Sequence, residues 1–192
     1  MSLDHILLGM LRQPATGYDL GREFAGSAQH FWFAERSQIY PALKKLQAKG
    51  LLRGWEAPSE RGPKRHVYQT TPAGHEELQS WLQSGPKIGR DRLGHVAQTF
   101  FLGELRDFEA SLRIVTTMRD EWEQKLSALE SIERGVDTDH GDWTQHDVDG
   151  FHHYAALRMG LHQYRAKLAW CDETIERLRS RIAVSDLSPV SE

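Results

Sequence analysis

Arg61, Lys64 and Arg65 gather around Gly62 and Pro63, and among all the residues of this sequence they most plainly invite chemistry. A tight turn carries such side chains to one tip. A cationic tip suits a row of phosphates, because each neutralised phosphate releases counterions. Upstream, Ser37, Gln38, Tyr40, Lys44 and Lys45 fall on the polar side of a stretch whose Ile39, Leu43 and Leu46 repeat at helical spacing. Glutamine offers the paired donor and acceptor that match an adenine edge, and lysine suits phosphate or guanine. The two sets read together as a double-stranded DNA surface. Alone, lysines on an exposed helix face are also ordinary solvation, and Tyr40 is equally suited to packing beneath a hairpin.

Other chemistries find little here. There is no glycine-rich phosphate loop, nucleophile motif or general-acid carboxylate pair, so neither an enzyme nor a cofactor is expected. Asp137, Asp139, His140, Asp142, His146, His152 and His153 are rich in potential ligands, but no spacing among them matches a metal motif, and a hydrated turn is the simpler reading. The one cysteine, Cys171, has no partner for an intrachain disulfide, and it falls on an apolar seam where a small buried side chain belongs. No signal-peptide core or membrane span is visible, which predicts a soluble cytoplasmic protein.

These side chains need a scaffold, and charge divides the chain in two. Residues 1–84 carry ten Lys/Arg and eight Asp/Glu, whereas residues 85–192 carry fourteen and nineteen. Within 35–65, eight basic residues face three acidic ones. Leu3, Ile6, Leu7, Met10 and Leu11 form the stripe of an amphipathic helix that Pro14 closes. Thr16 is a candidate N-cap for a second short helix in which Tyr18, Leu20 and Phe24 are apolar, and the aromatic run 30–33 is a candidate short strand. Ser37 is the next candidate cap, for a third helix expected to end before Gly50. Two strands around Leu52 and Val67 then make a hairpin, and Pro72 opens a helix with Leu78, Trp81 and Leu82 on its buried side. The expected fold is mainly α: an α+β winged helix-turn-helix with a two-stranded wing over 1–84, then an all-α domain over 85–192.

Gly85, Pro86 and Gly89 mark the boundary. Beyond it run two heptad seams. One contains Leu105, Phe108, Leu112, Val115, Trp122, Leu126 and Leu129, broken at Arg119; the other contains Leu157, Leu161, Tyr164, Leu168, Cys171, Ile175, Leu178 and Ile182. Each predicts a helix longer than about 35 Å. Helices of this length outgrow a small winged-helix module, so a second copy is expected to cover Leu105, Leu112, Trp122, Leu157, Leu161, Leu168, Ile175 and Leu178. The alternative is that the seams close on each other within one chain. Trp81, Phe100, Phe101, Trp122 and Tyr154 are candidates to line a pocket for a small aromatic or hydrophobic effector, against the simpler reading that they are core.

Several runs resemble one family. Thr16-Gly17-Tyr18-Asp19-Leu20, Ser37-Gln38-Ile39-Tyr40-Pro41-Ala42-Leu43 with Leu46 and Gly50-Leu51, Gly62-Pro63-Lys64-Arg65, and Tyr68 through Thr71-Pro72-Ala73-Gly74 occur in the order seen in PadR-type transcriptional regulators. The long helical tail is similar in architecture to that family's larger members. Thr70 departs from the pattern, where an apolar residue is usual, and is expected to loosen the strand-to-helix junction. The resemblance implies a dimeric repressor of a neighbouring gene that binds a near-palindromic operator. Two-fold symmetry would set recognition helices about 34–36 Å apart in successive major grooves, and an effector favouring another arrangement would release the operator. A different class fits the same elements: an interaction adaptor in which winged helix and coiled-coil helices dock proteins and bind no operator.

Overall fold

The computed structural model describes residues 2–26, 36–58, 64–89, 93–136 and 146–187. The aromatic run 30–33, Arg61 with its Gly-Pro turn, and Asp137, Asp139, His140 and Asp142 lie outside them. The chain divides into two compact units, Met1–Arg90 and Asp91–Glu192.

In the first unit, α1 (Ser2–Met10), β1 (Ala15–Thr16), α2 (Gly17–Gly26), α3 (Arg36–Ala48), β2 (Leu52–Ala57), β3 (Arg65–Thr70) and α4 (Pro72–Gln83) follow one another. The helical stripes converge on one core of Leu7, Leu8, Leu11, Leu20, Phe24, Ile39, Leu43, Leu46, Leu52 and Tyr68. Each fully buried leucine contributes about 1.5–3 kcal/mol. Leu82, expected inside, is exposed, because Leu78 and Trp81 already fill that face, and Tyr18 is exposed as well.

Local chemistry sets the element ends. Thr16 Oγ1 accepts from the Asp19 backbone N–H (3.1 Å) and donates to its carboxylate (2.7 Å), capping α2 as expected. Thr16 has a second role that alternation of side chains did not reveal: with Ala15 it pairs antiparallel to β3, so the expected two-stranded wing is the outer part of a three-stranded sheet in the order β1-β3-β2. Gly50 ends α3 with φ +70°, and the bonds Leu51 N to Leu46 O and Gly50 N to Gln47 O, both 3.0 Å, complete the turn. Thr71 caps α4 through the Gly74 N–H (3.1 Å) and donates to the Gly50 carbonyl (2.7 Å). A Cβ on Gly74 would lie 2.2 Å from the Leu51 carbonyl oxygen, so this junction accepts no side chain there. Thr70 tightens the junction it was expected to loosen: its N–H donates to Leu11 O (2.9 Å) and its hydroxyl to Leu8 O (2.8 Å), tying β3 to the last turn of α1.

In the second unit, α5 (Gly94–Phe100) and a 3-10 turn (Leu102–Leu105) precede α6 (Phe108–Val136) and α7 (Val148–Leu187). Leu105 therefore does not begin the long helix. Arg106 adopts the left-handed conformation (φ 49°), and Asp107 Oδ1 then accepts from the Ala110 N–H (3.0 Å) to start α6 afresh. The two long helices, about 43 and 60 Å at 1.5 Å per residue, run antiparallel. Arg119 meets Asp172, Glu130 meets Arg165, and Glu133 meets Arg158 at 2.7, 3.1 and 3.0 Å. Val115, Trp122, Leu129, Leu161, Cys171 and Ile175 fill the space between them. A Cβ on Gly160 would sit 2.9 Å from Leu129 Cδ1, so the helices approach closely there.

The heptad seams thus close on each other within one chain. Trp122, Leu161 and Ile175, expected to meet a second copy, are buried in this hairpin and have no face left to offer. Leu112, Leu157, Leu168 and Leu178 are half-buried, and Leu105 stays exposed. Arg119, the break in the first seam, spans the two helices: besides Asp172 it pairs with Glu123 at 2.8 Å, and both carboxylates raise its pKa. Cys171 is buried, its Sγ 3.8 Å from the Val115 carbonyl, and burial pushes its thiol pKa up and away from reactivity.

Candidate nucleic-acid interface

Helix α3 is anchored through Ile39, Ala42, Leu43 and Leu46. At 3.6 residues per turn this core contact sends Ser37, Pro41, Lys44 and Ala48 along the opposite line, all exposed. Of the expected recognition residues, Ser37 and Lys44 lie on that line. Gln38 is exposed on one flank and Tyr40 on the other. Pro41 and Ala48 gave no signal in the sequence because neither carries a polar side chain, yet they define the shape of this face.

Tyr40 is half exposed, but a Cβ on Gly17 would meet its ring at 2.8 Å, so the ring covers the first residue of α2. The tyrosine thereby joins α2 to α3, with its hydroxyl oxygen 3.1 Å from that same point. Lys45 departs from the expected arrangement. Its Nζ lies 2.6 Å from Asp4 Oδ2 on α1, so its charge is answered inside the unit although the side chain stays half exposed. Two consecutive lysines cannot share one helical face, since neighbours are turned about 100° apart.

The hairpin pairs from Leu52↔Thr70 to Ala57↔Arg65. Lys64 and Arg65 are exposed at its outer end, and Lys64 Nζ pairs with Glu56 Oε2 at 3.0 Å. Glu56, which no sequence motif singles out, therefore partly screens the wing. On one face of the sheet Arg53 lies over the Trp55 ring (5.4 Å) and donates to Gln69 Oε1, whose amide reaches the Arg12 carbonyl at 3.4 Å. On the other face Tyr68 is buried, and burial, with Tyr40 second, raises its pKa.

Of the residues expected to line an effector pocket, Trp81 belongs to the first unit and the other four to the second. Trp81 stacks on His5 in the first unit, ring centroids 4.8 Å apart and 9° from parallel, while His5 Nε2 lies 3.2 Å from Glu77. In the second unit Trp122 packs against His95 and Trp170. Tyr154 instead donates to Glu133 at 3.2 Å, about 16 Å further along α6. Phe100 and Phe101 touch each other edge to face and are 81% and 63% exposed. Among the described residues no group of His, Cys, Asp or Glu is arranged to hold a metal ion, and no helix is long and apolar enough to cross a membrane.

A unit of four helices and a short sheet, whose third helix and hairpin carry exposed cations, followed in the chain by a long helical hairpin, defines the class of winged-helix transcriptional regulators. The model for the transcriptional regulator PadR-like family matches residues 6–80, and that for the virulence activator alpha C-terminal domain matches residues 98–179. Residues 6–80 thus carry a PadR-like domain and residues 98–179 a virulence activator C-terminal domain, and the family of the first consists of transcriptional regulators, not enzymes. It is similar to a probable transcriptional regulator of Mycobacterium tuberculosis, 27% identical over 194 residues, covering 94% of this chain and 100% of that protein. It is also similar to the negative transcriptional regulator PadR of Bacillus subtilis, 25% identical over 179 residues, covering 90% of this chain and 95% of that protein. The crystal structure of that PadR in complex with operator DNA superposes with a TM-score of 0.77, at 25% identity, over 93% of this chain and 99% of the other. Its complex with p-coumaric acid gives 0.72 at 25% identity, over 92% and 95%.

Proposed function

We propose that this protein is a homodimeric, cytoplasmic repressor that binds a near-palindromic operator and is released by a small aromatic or hydrophobic effector. The observation carrying the reading is that Ser37 and Lys44 on α3, and Lys64 and Arg65 on the wing, are exposed cationic or polar groups of one packed unit. Helix α3 is the element that enters the major groove, with Gln38 at a base edge and Lys44 on phosphate or guanine. Arg61, Lys64 and Arg65 follow the backbone. The Bacillus subtilis relative supports both partners, since it has been crystallised with operator DNA and with p-coumaric acid.

Dimerisation follows from what the hairpin leaves uncovered. Phe100, Phe101, Leu105 and Phe108 are exposed along one short segment, and a second copy is the partner that buries them. Leu112, Leu157, Leu168 and Leu178, half-buried in one chain, are the remaining candidates for that contact. Phe100 and Phe101 are the remaining candidates to meet an effector. Such a molecule acts only by its differential affinity for two protomer arrangements.

The test is selection of bound fragments from genomic DNA, followed by salt titration on the recovered site. An inverted repeat is expected. Replacing Arg61, Lys64 and Arg65 by Ala should lower the log–log salt slope by about 0.9 for each phosphate that is no longer neutralised. Binding with no sequence preference, or an unchanged slope, would turn the reading towards a protein-docking adaptor.

A further inference from the structure

Gly54 stands midway along the hairpin, opposite Tyr68. The space its missing side chain leaves is occupied from two directions. A Cβ there would lie 2.6 Å from His66 Nε2 on β3 and 2.9 Å from Gln47 Nε2 on α3, with Gln47 Cδ at 3.3 Å. Both side-chain ends therefore converge on one point, one arriving from the wing and one from the recognition helix. His66 is held there by its ring, which stands edge-on against buried Tyr68 with centroids 4.6 Å apart. Gln47 is half-buried although its neighbours Lys44, Lys45 and Ala48 are exposed.

The position gives this meeting point leverage. Beyond Gly54 the hairpin continues to Ala57↔Arg65, so Arg65 projects about 10 Å past the place where wing and helix touch. A 10° swing at Gly54 would move that guanidinium by about 2 Å, enough to break a hydrogen bond to phosphate.

We infer that His66 and Gln47, meeting over Gly54, form a latch that fixes the angle between the wing and α3, and that both are positioning residues for duplex recognition. The inference rests on the DNA-binding reading above. In it the latch contacts no DNA; it decides whether α3 and the wing cations can engage the same duplex together.

The test uses the full-length protein with His66→Ala, Gln47→Ala, the double variant, and Gly54→Ala, which keeps both side chains but fills their meeting point. Two quantities are read: hydrogen exchange of the hairpin amides in free protein, and the ratio of affinities for the selected operator and a scrambled duplex. Each variant should speed exchange in β2 and β3 and lower the ratio about five-fold, and the double variant should be no worse than either single one, as expected for groups acting as a unit. Gly54→Ala should add nothing in the double-variant background. Lys64→Ala is the contrast: it should weaken both duplexes and leave exchange unchanged. Losses that multiply in the double variant, or a Gly54→Ala protein that matches the parent, would overturn the latch. Should the parent itself treat both duplexes alike, the DNA-binding reading fails, and hydrogen exchange alone then decides whether wing and helix are coupled.

Discussion

The two units treat apolar surface differently. The first encloses its leucines in one core shared by helices and sheet, and what it shows outward around α3 and the wing is mostly polar and cationic. The second encloses a single seam between two helices, and keeps Phe100, Phe101, Leu105 and Phe108 at the surface. A layer of two helices has only one inner side, so residues that do not face the seam have nowhere to hide; the four helices and sheet of the first unit make a closed interior. The first unit therefore hides most of its leucines, while the second leaves several large apolar side chains at the surface.

That contrast can be broken most forcefully at the exposed aromatics. Replacing Phe100 and Phe101 together by Lys should weaken self-association by more than about a hundred-fold, as loss of central interface anchors does. Sedimentation would show monomers while the first unit keeps its melting behaviour; an unchanged dimer would mean that another surface joins the copies. Next comes Leu43→Ala, which should cost the first unit about 2–5 kcal/mol of unfolding free energy and abolish DNA binding. Calorimetry should find the α6–α7 hairpin intact; parallel loss of both would deny that the units are separate. Gly74→Ala, which drives a methyl into the Leu51 carbonyl, should cost about 1–3 kcal/mol in the first unit alone. The smallest effect concerns pH. Burial beside Trp122, and then the Lys167 ammonium, lower the His95 pKa below its ordinary 6.5. The neutral imidazole is favoured in the folded state, so this group's contribution is present above pH 6.5 and is lost as the pH falls through the lowered value. Melting of the second unit should drop in that window in the parent and less in His95→Gln, with the first unit serving as the internal reference.

Much of the first unit was legible because its signals are local. Thr16, Gly50 and Pro72 mark element ends through hydrogen bonds and φ preferences that neighbouring residues alone dictate, and the Ile39-Leu43-Leu46 spacing names the buried side of α3. What escaped depended on partners distant in the chain. Nothing near Lys45 announces that Asp4, forty-one residues earlier, will take its charge, and nothing near Thr70 announces two carbonyls of α1. In the second unit the heptads located both helices but left two ways of satisfying them, since an apolar stripe does not say which stripe it meets. Arg106 hid the break before α6, because left-handed arginine carries no compositional mark of the kind glycine does.

The ion pair between Lys64 and Glu56 has a consequence for selectivity. A ribbon that brings its own carboxylate greets a lone small anion with a competitor already in place, and a nucleotide or free phosphate gains little by displacing it. A duplex offers many phosphates in register with several cations at once, so one exchanged carboxylate is a minor toll against the whole row. On the DNA-binding reading proposed above, a wing carrying this exposed pair would favour a row of phosphates over a single small anion.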